Sequence, residues 1–455
     1  MTVLDTTLDP RDPAYLEGRG TTLQWLAALE VALDEARAGG GEKWVTRHHA
    51  RGKLLPRERI EMLLDQDSPF LELSPVAAWG SEFPVGASVV TGIGAVEGVE
   101  CVVVANDPTV DGGAVNPYTA EKIRRAARIA SENRLPLVNL VESAGDAAPA
   151  GSIARELSRL TADRVPTVCV VFGTTSGDAA YLPALSDYTI VVRGHAKVLT
   201  IHPQRSGVEV RATPVVPSGP AGPADQLAED ERDGLRLARQ CVRRFNWRKQ
   251  GPAPRNRQPR EPRYSSEALL SLAAAGSNFE PREVLARILD DSDFDEFKPG
   301  QGSVLVAGWG ELHGYPVGVL ASPGIWLSPT ESQKAVHFLQ LANATATPVI
   351  FLRHPGETKG SDDADVRNDA PLVHAIAKST VPHLVLTVGP EPGGTPARAD
   401  QPRFQFSWPR PPADRAAADD GVIDPRDTRT VLGLCLSAVH SAAVAGAEHV
   451  GVFRP

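Results

Sequence analysis

Hydrophobic and polar positions divide the chain into an amphipathic opening and two long α/β stretches. Leu23, Leu26, Leu29, Val31 and Leu33 recur at the spacing of one helix face and Gly39-Gly40-Gly41 stops the run, so a helix is predicted over residues 23–38. Residues 57–64 repeat the pattern after Pro56. From Gly92 the chain changes character. Residues 101–105 are a β-branched apolar run ending in Asn106-Asp107-Pro108, which reads as a buried strand entering a loop. A helix over 119–133, a strand over 137–141, a helix over 153–162 and a strand over 167–172 continue the cadence, which predicts an α/β domain.

The cadence returns downstream. Ala105 answers to Ala321 and Pro166 to Pro382, each at an offset of 216 residues, as does Gly173 to Gly389, while Pro136 answers to Pro348 at 212. Four landmarks near one offset predict two homologous domains. Residues 214–223 and 250–262 are rich in Pro with Gly, Ser or Arg and read as linkers around a helix over 227–245. The division expected is therefore 1–249, a linker 250–262, and 263–455. Residues 390–418 read as an irregular excursion, and 428–445 as a closing helix.

Charge and composition narrow the partners. The 455 residues carry a formal net charge of −9 with no long basic block, which argues against nucleic acid or an anionic membrane surface. Cys101, Cys169, Cys241 and Cys435 are far apart, which fits a reducing cytoplasm, and residues 1–19 do not have the pattern of a signal peptide. No run approaches the ~18 apolar residues of a membrane span. There is no P-loop and no dinucleotide fingerprint. Thr175-Ser176-Gly177 lacks the first glycine of a nucleophile elbow, and the histidines form no ligand set, so no metal is predicted.

What remains is the carboxyl edge of each sheet, where strands enter Gly-bearing loops just before helices and backbone N–H groups can face an anion. In the first domain these loops are Ser143-Ala144-Gly145 and the segment from Gly173 to Tyr181 containing Gly177, Asp178 and Ala179. Paired N–H donors there could stabilise the oxyanion of a thioester enolate, although ordinary strand-to-helix turns would look the same.

Several segments resemble the carboxyltransferase β-subunits of biotin-dependent acyl-CoA carboxylases of the propionyl-CoA and methylcrotonyl-CoA type. They include Ala50-Arg51-Gly52-Lys53-Leu54 with Arg57-Glu58-Arg59-Ile60, Val103-Val104-Ala105-Asn106-Asp107, Tyr181-Leu182-Pro183-Ala184-Leu185, His313-Gly314-Tyr315-Pro316 and Asp420-Gly421-Val422-Ile423-Asp424-Pro425. The resemblance runs over roughly residues 20–455. It implies two tandem crotonase-like α/β superhelix domains, the first holding acyl-CoA and the second receiving carboxybiotin from a carrier domain, in a homo- or hetero-oligomer. Two oxyanion holes built from backbone N–H groups serve the reaction. Arg51 and Lys53 are the expected phosphate contacts, since CoA is highly anionic, and Asn106 and Tyr181 join them as acyl-CoA residues.

The chain departs from the family at those places. Asp178-Ala179 stands where the family has Gly-Gly; a carboxylate there would repel an enolate unless protonated, and Ala resists a φ > 0 that Gly accepts. On the biotin side, the loops around Gly356, Gly389, Gly393 and Gly394 are altered, and the stretch between Pro409 and Asp419 is much shorter. Three functions follow. The first is an enzyme handling a thioester enolate, by carboxyl transfer with biotin or by biotin-independent decarboxylation with Asp178 as the acid. The alternative is a catalytically degenerate partner subunit. The third is new chemistry using His313, Glu357 or Lys359.

Overall fold

A computed structural model of the chain describes residues 2–143, 152–194, 196–199, 224–256, 258–275, 279–302, 304–322, 327–354, 363–389, 402–411 and 419–447. Residues 31–248 form one compact unit, and residues 1–30 with 249–455 form the other. The opening 30 residues therefore do not belong to the first domain, as the sequence division had placed them. β1 (Thr2–Val3) pairs antiparallel with Asp293 and Phe294, and Thr7 N donates to Glu283 Oε1 at 2.6 Å. The expected linker also has fixed partners in this unit: Gly251 N donates to His440 O at 2.9 Å and Arg255 N to Gly314 O at 2.7 Å.

In the unit 31–248, β2 (Phe70–Leu73), β3 (Val89–Val96) and β4 (Val99–Asn106) pair antiparallel. From β4 the sheet continues in parallel through β5 (Leu137–Ser143), β6 (Thr167–Ser176), β7 (Tyr188–Val192) and β9 (Gln226–Ala228), with β8 (Lys197–Leu199) beside the end of β6. In the other unit β10 (Asp293–Glu296), β11 (Val306–Leu312) and β12 (Tyr315–Ser322) are antiparallel. β12, β13 (Val349–Arg353), β14 (His383–Thr387), β15 (Phe404–Ser407) and β16 (Gly421–Val422) are parallel. The two sheets have the same order, and the landmarks of the repeat fall in the same register. Val102 N bonds Pro136 O and Gly318 N bonds Pro348 O, each at 2.9 Å; Leu137 N bonds Pro166 O at 3.0 Å and Val349 N bonds Pro382 O at 2.9 Å.

The helices are α1 (Pro13–Ala38), α2 (Glu42–His49), α3 (Pro56–Leu63), α4 (Pro117–Asn133), α5 (Ser152–Ala162), α6 (Tyr181–Leu185) and α7 (Glu231–Arg244), followed by α8 (Leu269–Ala273), α9 (Pro281–Ile288), α10 (Pro329–Ala344), α11 (Asp363–Lys378) and α12 (Thr428–Val439). Parallel strands are covered on both faces, which is why they read as unbroken apolar runs. Val103, Ala105, Val138, Leu140, Val168, Val170 and Phe172 pack against Ile60 and Leu63 of α3 and Leu235, Ala238 and Val242 of α7. Each such Leu, Ile, Val or Phe contributes about 1.5–3 kcal/mol by leaving water.

Three expectations change. The helix predicted over 227–245 begins only at Glu231, because Asp230 caps it by accepting from Asp233 N at 2.8 Å, and residues 226–228 form β9. The closing helix stops at Val439, since the chain beyond bonds back to Gln250 and Gly251. The excursion 390–418 contains a strand, β15, whose Phe404 and Phe406 are buried. Among the described residues no helix is long and apolar enough to cross a membrane.

Candidate active site

The parallel strands β4, β5 and β6 carry their carboxyl ends to one edge, at Asn106, Ser143 and Ser176. There β6 passes into a 3-10 turn, Gly177–Ala180, and then α6, led by the half-exposed Tyr181. The residue needing a left-handed backbone is Gly177, at φ 62°. Ala179 is fully buried and lies within the 3-10 turn, outside the left-handed region. The Gly-to-Ala departure at 179 therefore carries no left-handed backbone strain, contrary to the sequence expectation, because the residue of this turn at positive φ is Gly177. The side chain of Asp178 lies outside the described residues, as do Ala144, Gly145, Gly356, Glu357, Lys359, Gly393 and Gly394.

Ser143 is buried, and its Oγ donates to Gly113 O at 2.6 Å, which ties the end of β5 to the loop after β4. Asn106 is also buried, with no hydrogen-bond partner for either carboxamide atom among the described residues. Lys53, expected beside a substrate phosphate, is turned inward: its ammonium pairs with Glu142 and donates to Phe172 O at 3.3 Å.

Glu142, which sequence reasoning did not single out, is the centre of a buried ion network. Arg59 of α3, fully buried over the Phe172 ring, donates from Nη2 to Glu142 Oε2 at 2.7 Å and to Glu231 Oε1 at 2.8 Å, and from Nε to Glu231 Oε2 at 2.9 Å. Burial by itself would raise the Glu142 carboxyl; the charges of Arg59 and Lys53 outweigh it and hold the group below the usual carboxylate range. Two acids and two bases leave the cluster neutral, which is the condition for burying charge. The available sequence signal was the Lys53 and Arg59 spacing in a segment otherwise patterned as a helix.

Beside this network lies a groove of about 530 Å³ at the same sheet edge. Trp44, Arg47, His48 and Arg51 from α2 and the residues after it line one wall, and Thr109 to Gly112, after β4, line the other. Trp44 is half-exposed, with the Arg47 guanidinium 5.6 Å from its ring centre. Burial, the largest influence, lowers the His48 imidazole, so the positive charge at neutral pH belongs to Arg47 and Arg51. Of the expected substrate residues, Arg51 is therefore exposed on the groove and Lys53 supports it from beneath.

In the other unit, the counterpart of Glu142 is His354, 212 residues on. Its Nε2 lies 2.8 Å from Ala275 O and its ring stacks on Phe279 at 4.7 Å. The imidazole lies against Gly389 (φ 99°), leaving no room for a Cβ, as the Glu142 carboxylate does at Gly173. His313 stands in the turn before β12, at the amino edge, opposite the edge where the strands end. Among the described residues no three His, Cys, Asp or Glu side chains gather as a metal site.

The sequence matches the family described as the carboxyl transferase domain over residues 47–410. It is 43% identical to a Mycobacterium tuberculosis protein named "Probable biotin-dependent acyl-coenzyme A carboxylase beta2 subunit", covering 99% of this chain and 100% of the relative. It is 32% identical to the mitochondrial methylcrotonoyl-CoA carboxylase beta chain of Dictyostelium discoideum, covering 99% and 91%. The crystal structure of the P. aeruginosa geranyl-CoA carboxylase beta subunit superposes with a TM-score of 0.84 at 30% identity, covering 99% of this chain and 100% of that one. The two α/β domains expected from the repeat, and the tandem crotonase-like fold that the resemblance implied, are borne out. The first alignment extends over 530 residues against a chain of 455, so that relative has segments this chain lacks.

Proposed function

Since the chain belongs to the carboxyl transferase family, we propose that it moves a carboxyl group between the α-carbon of an acyl-CoA, bound by the unit 31–248, and biotin carried on a partner chain. The observation that carries this reading is the groove. An exposed indole with two guanidinium groups at a sheet edge suits a flat base and phosphates, the nucleotide end of CoA, and Asp111 can accept from a ribose hydroxyl or a base amino group. The thioester then reaches the strand ends, where the backbone N–H groups of the Gly177–Ala180 turn are the candidate oxyanion donors.

In the forward direction the α-proton leaves, the thioester oxygen takes up negative charge, and the carbon attacks the carboxyl carried by biotin. The new C–C bond forms as the N–C bond to biotin breaks, and the ureido nitrogen ends with the proton. Backbone donors suit this because the charge develops on oxygen and no side chain must change protonation. The names of the relatives, biotin-dependent and methylcrotonoyl-CoA carboxylase β chains, support biotin as the carrier of the carboxyl group.

A second reading, a partner subunit without its own turnover, draws on the segments that this chain lacks relative to the M. tuberculosis protein. The purified chain is incubated with malonyl-, methylmalonyl- and longer 2-carboxyacyl-CoA, with and without free biotin, and the thioester is followed by mass spectrometry. Loss of the carboxyl group only with biotin supports carboxyl transfer. Loss without biotin replaces it by decarboxylation, and CoA binding with no loss favours the partner subunit.

A further inference from the structure

We infer that Glu142 is a positioning residue through which occupancy of the groove is felt at the Gly177 turn, an inference that rests on the acyl-CoA reading above. Both walls of the groove are fastened to the end of β5. On one side, the segment that presents Arg51 runs two residues further to Lys53, whose ammonium grips the Glu142 carboxylate. On the other, Gly113 follows the lining residues Asp111 and Gly112; its carbonyl accepts from Ser143 Oγ, and its backbone (φ 74°) sits so close to the Glu142 carbonyl that a Cβ would collide with it.

Glu142 in turn bears on β6. The β5–β6 register shifts between Val141 and Ser143, so Glu142 occupies an irregularity in the pairing, and its carboxylate fills the space over Gly173. Four residues beyond Gly173 the strand delivers Gly177. Arg59 holds the second carboxylate oxygen and is itself held by Glu231 of α7, whose Oε2 also accepts from Leu54 N at 3.0 Å, so the wall segment meets the network at Glu142 through the Lys53 side chain and at Glu231 through its main chain. Lys53 is the side chain by which the wall reaches Glu142 directly. A ligand that draws Arg51 and the Asp111–Gly113 loop together therefore loads Glu142 from two sides, its carboxylate through Lys53 and its main-chain carbonyl through Gly113, and packed strands pass such a load on in discrete steps.

Glu142 touches no reacting atom in this scheme, so its role differs from general acid or base catalysis. The coupling also requires no change in its charge. Lys53→Met cuts the direct tether to Glu142 while leaving Arg51, Trp44, the Leu54 N–Glu231 bond and the Arg59–Glu142 pair in place, and Lys53→Arg restores a cation of similar reach.

The test is amide hydrogen exchange of the full chain with and without CoA, alongside calorimetric CoA affinity. In the parent protein CoA is expected to slow exchange across residues 173–180 by about tenfold or more. In Lys53→Met, CoA still binds but that slowing falls to about twofold or less, and Lys53→Arg recovers it. Slowing that persists undiminished in Lys53→Met while CoA is bound overturns the inference and leaves the acyl-CoA reading standing. Absence of CoA binding to the parent overturns both. Should Lys53→Met fail to fold, Glu142→Gln, which keeps the shape and removes the charge, is read by the same criteria.

Discussion

Asp65 and Asp290 perform the same task in the two units. Asp65 accepts from Glu97 N at 2.8 Å and Gly98 N at 2.7 Å, and is held by Arg239 at 2.8 Å. Asp290 accepts from His313 N at 2.9 Å and Gly314 N at 2.8 Å, and is held by Arg429 at 2.7 Å. Each pair of N–H groups belongs to a two-residue hairpin turn with positive φ at both positions, 51° and 73° in one, 49° and 76° in the other. Such turns match the twist of the strands they join. The carboxylate supplies acceptors for N–H groups that the tight turn leaves outside the ladder.

Asp65→Ala is expected to destabilise the unit 31–248 by about 1 kcal/mol, because it removes the acceptor of the Glu97 and Gly98 amides and one partner of Arg239, which keeps Glu97 at 2.7 Å and Leu63 O at 2.7 Å. Urea unfolding should show a lower midpoint at unchanged slope. Burial alone would raise the Asp65 carboxyl; the Gly98 and Glu97 amides and Arg239 outweigh it and lower it. Its contribution is therefore complete above the ordinary aspartate value and is lost as pH falls through the lowered one, so the gap between parent and variant should close on acidification.

Lys122 of α4 is buried, donating to Gly86 O at 3.1 Å and Val89 O at 2.7 Å. Burial pushes its ammonium down to about 8. Between that value and the ordinary lysine value of about 10.4 the unfolded chain binds more protons than the folded one, so stability rises with pH across this window. Lys122→Met removes that rise. Thermal melts of both proteins over this window check it: the parent should gain on the variant with each step.

Gly177→Ala places a Cβ in the left-handed region, costing about 1–2 kcal/mol where the backbone cannot relax. The turn is expected to shift instead, lowering kcat for carboxyl exchange on 2-carboxyacyl-CoA by about tenfold or more, with CoA affinity nearly unchanged. Steady-state kinetics and calorimetry together check this split.

Arg51→Ala and Trp44→Ala act on the groove. Each is expected to weaken CoA binding by about five- to fiftyfold and to raise KM with kcat little altered, because the nucleotide end takes no part in the bond changes. Dephospho-CoA should discriminate less between the parent and Arg51→Ala if that guanidinium contacts the extra phosphate.

Local pattern made the repeat legible because each landmark is a local event: a proline opening a parallel strand, or a glycine where a neighbouring side chain fills the space a Cβ would take, although Gly389 follows the end of β14 while β6 runs past Gly173 to Ser176. Pro136, Pro166, Pro348 and Pro382 each give their carbonyl to the neighbouring strand at equivalent places, so their spacing carried the fold. The Gly177 segment was legible for the same reason, as a turn at a strand end. The place of the left-handed residue within it was not, since φ depends on how the 3-10 turn docks.

Charge partnerships were beyond reach of the linear chain. Lys53 and Arg51 are two residues apart and look alike in the sequence, yet one is exposed on a groove and the other pairs with a carboxylate 89 residues away. The Asp65 and Asp290 clamps escaped the repeat because their distances to the turns and to Arg239 and Arg429 differ between the halves. Periodicity and strand-end residues dictate local backbone and so settle element type, sheet class and internal symmetry. Which ions face one another, and which glycine bears strain, is settled only when the strands pack, because those energies depend on distance in space and not along the chain.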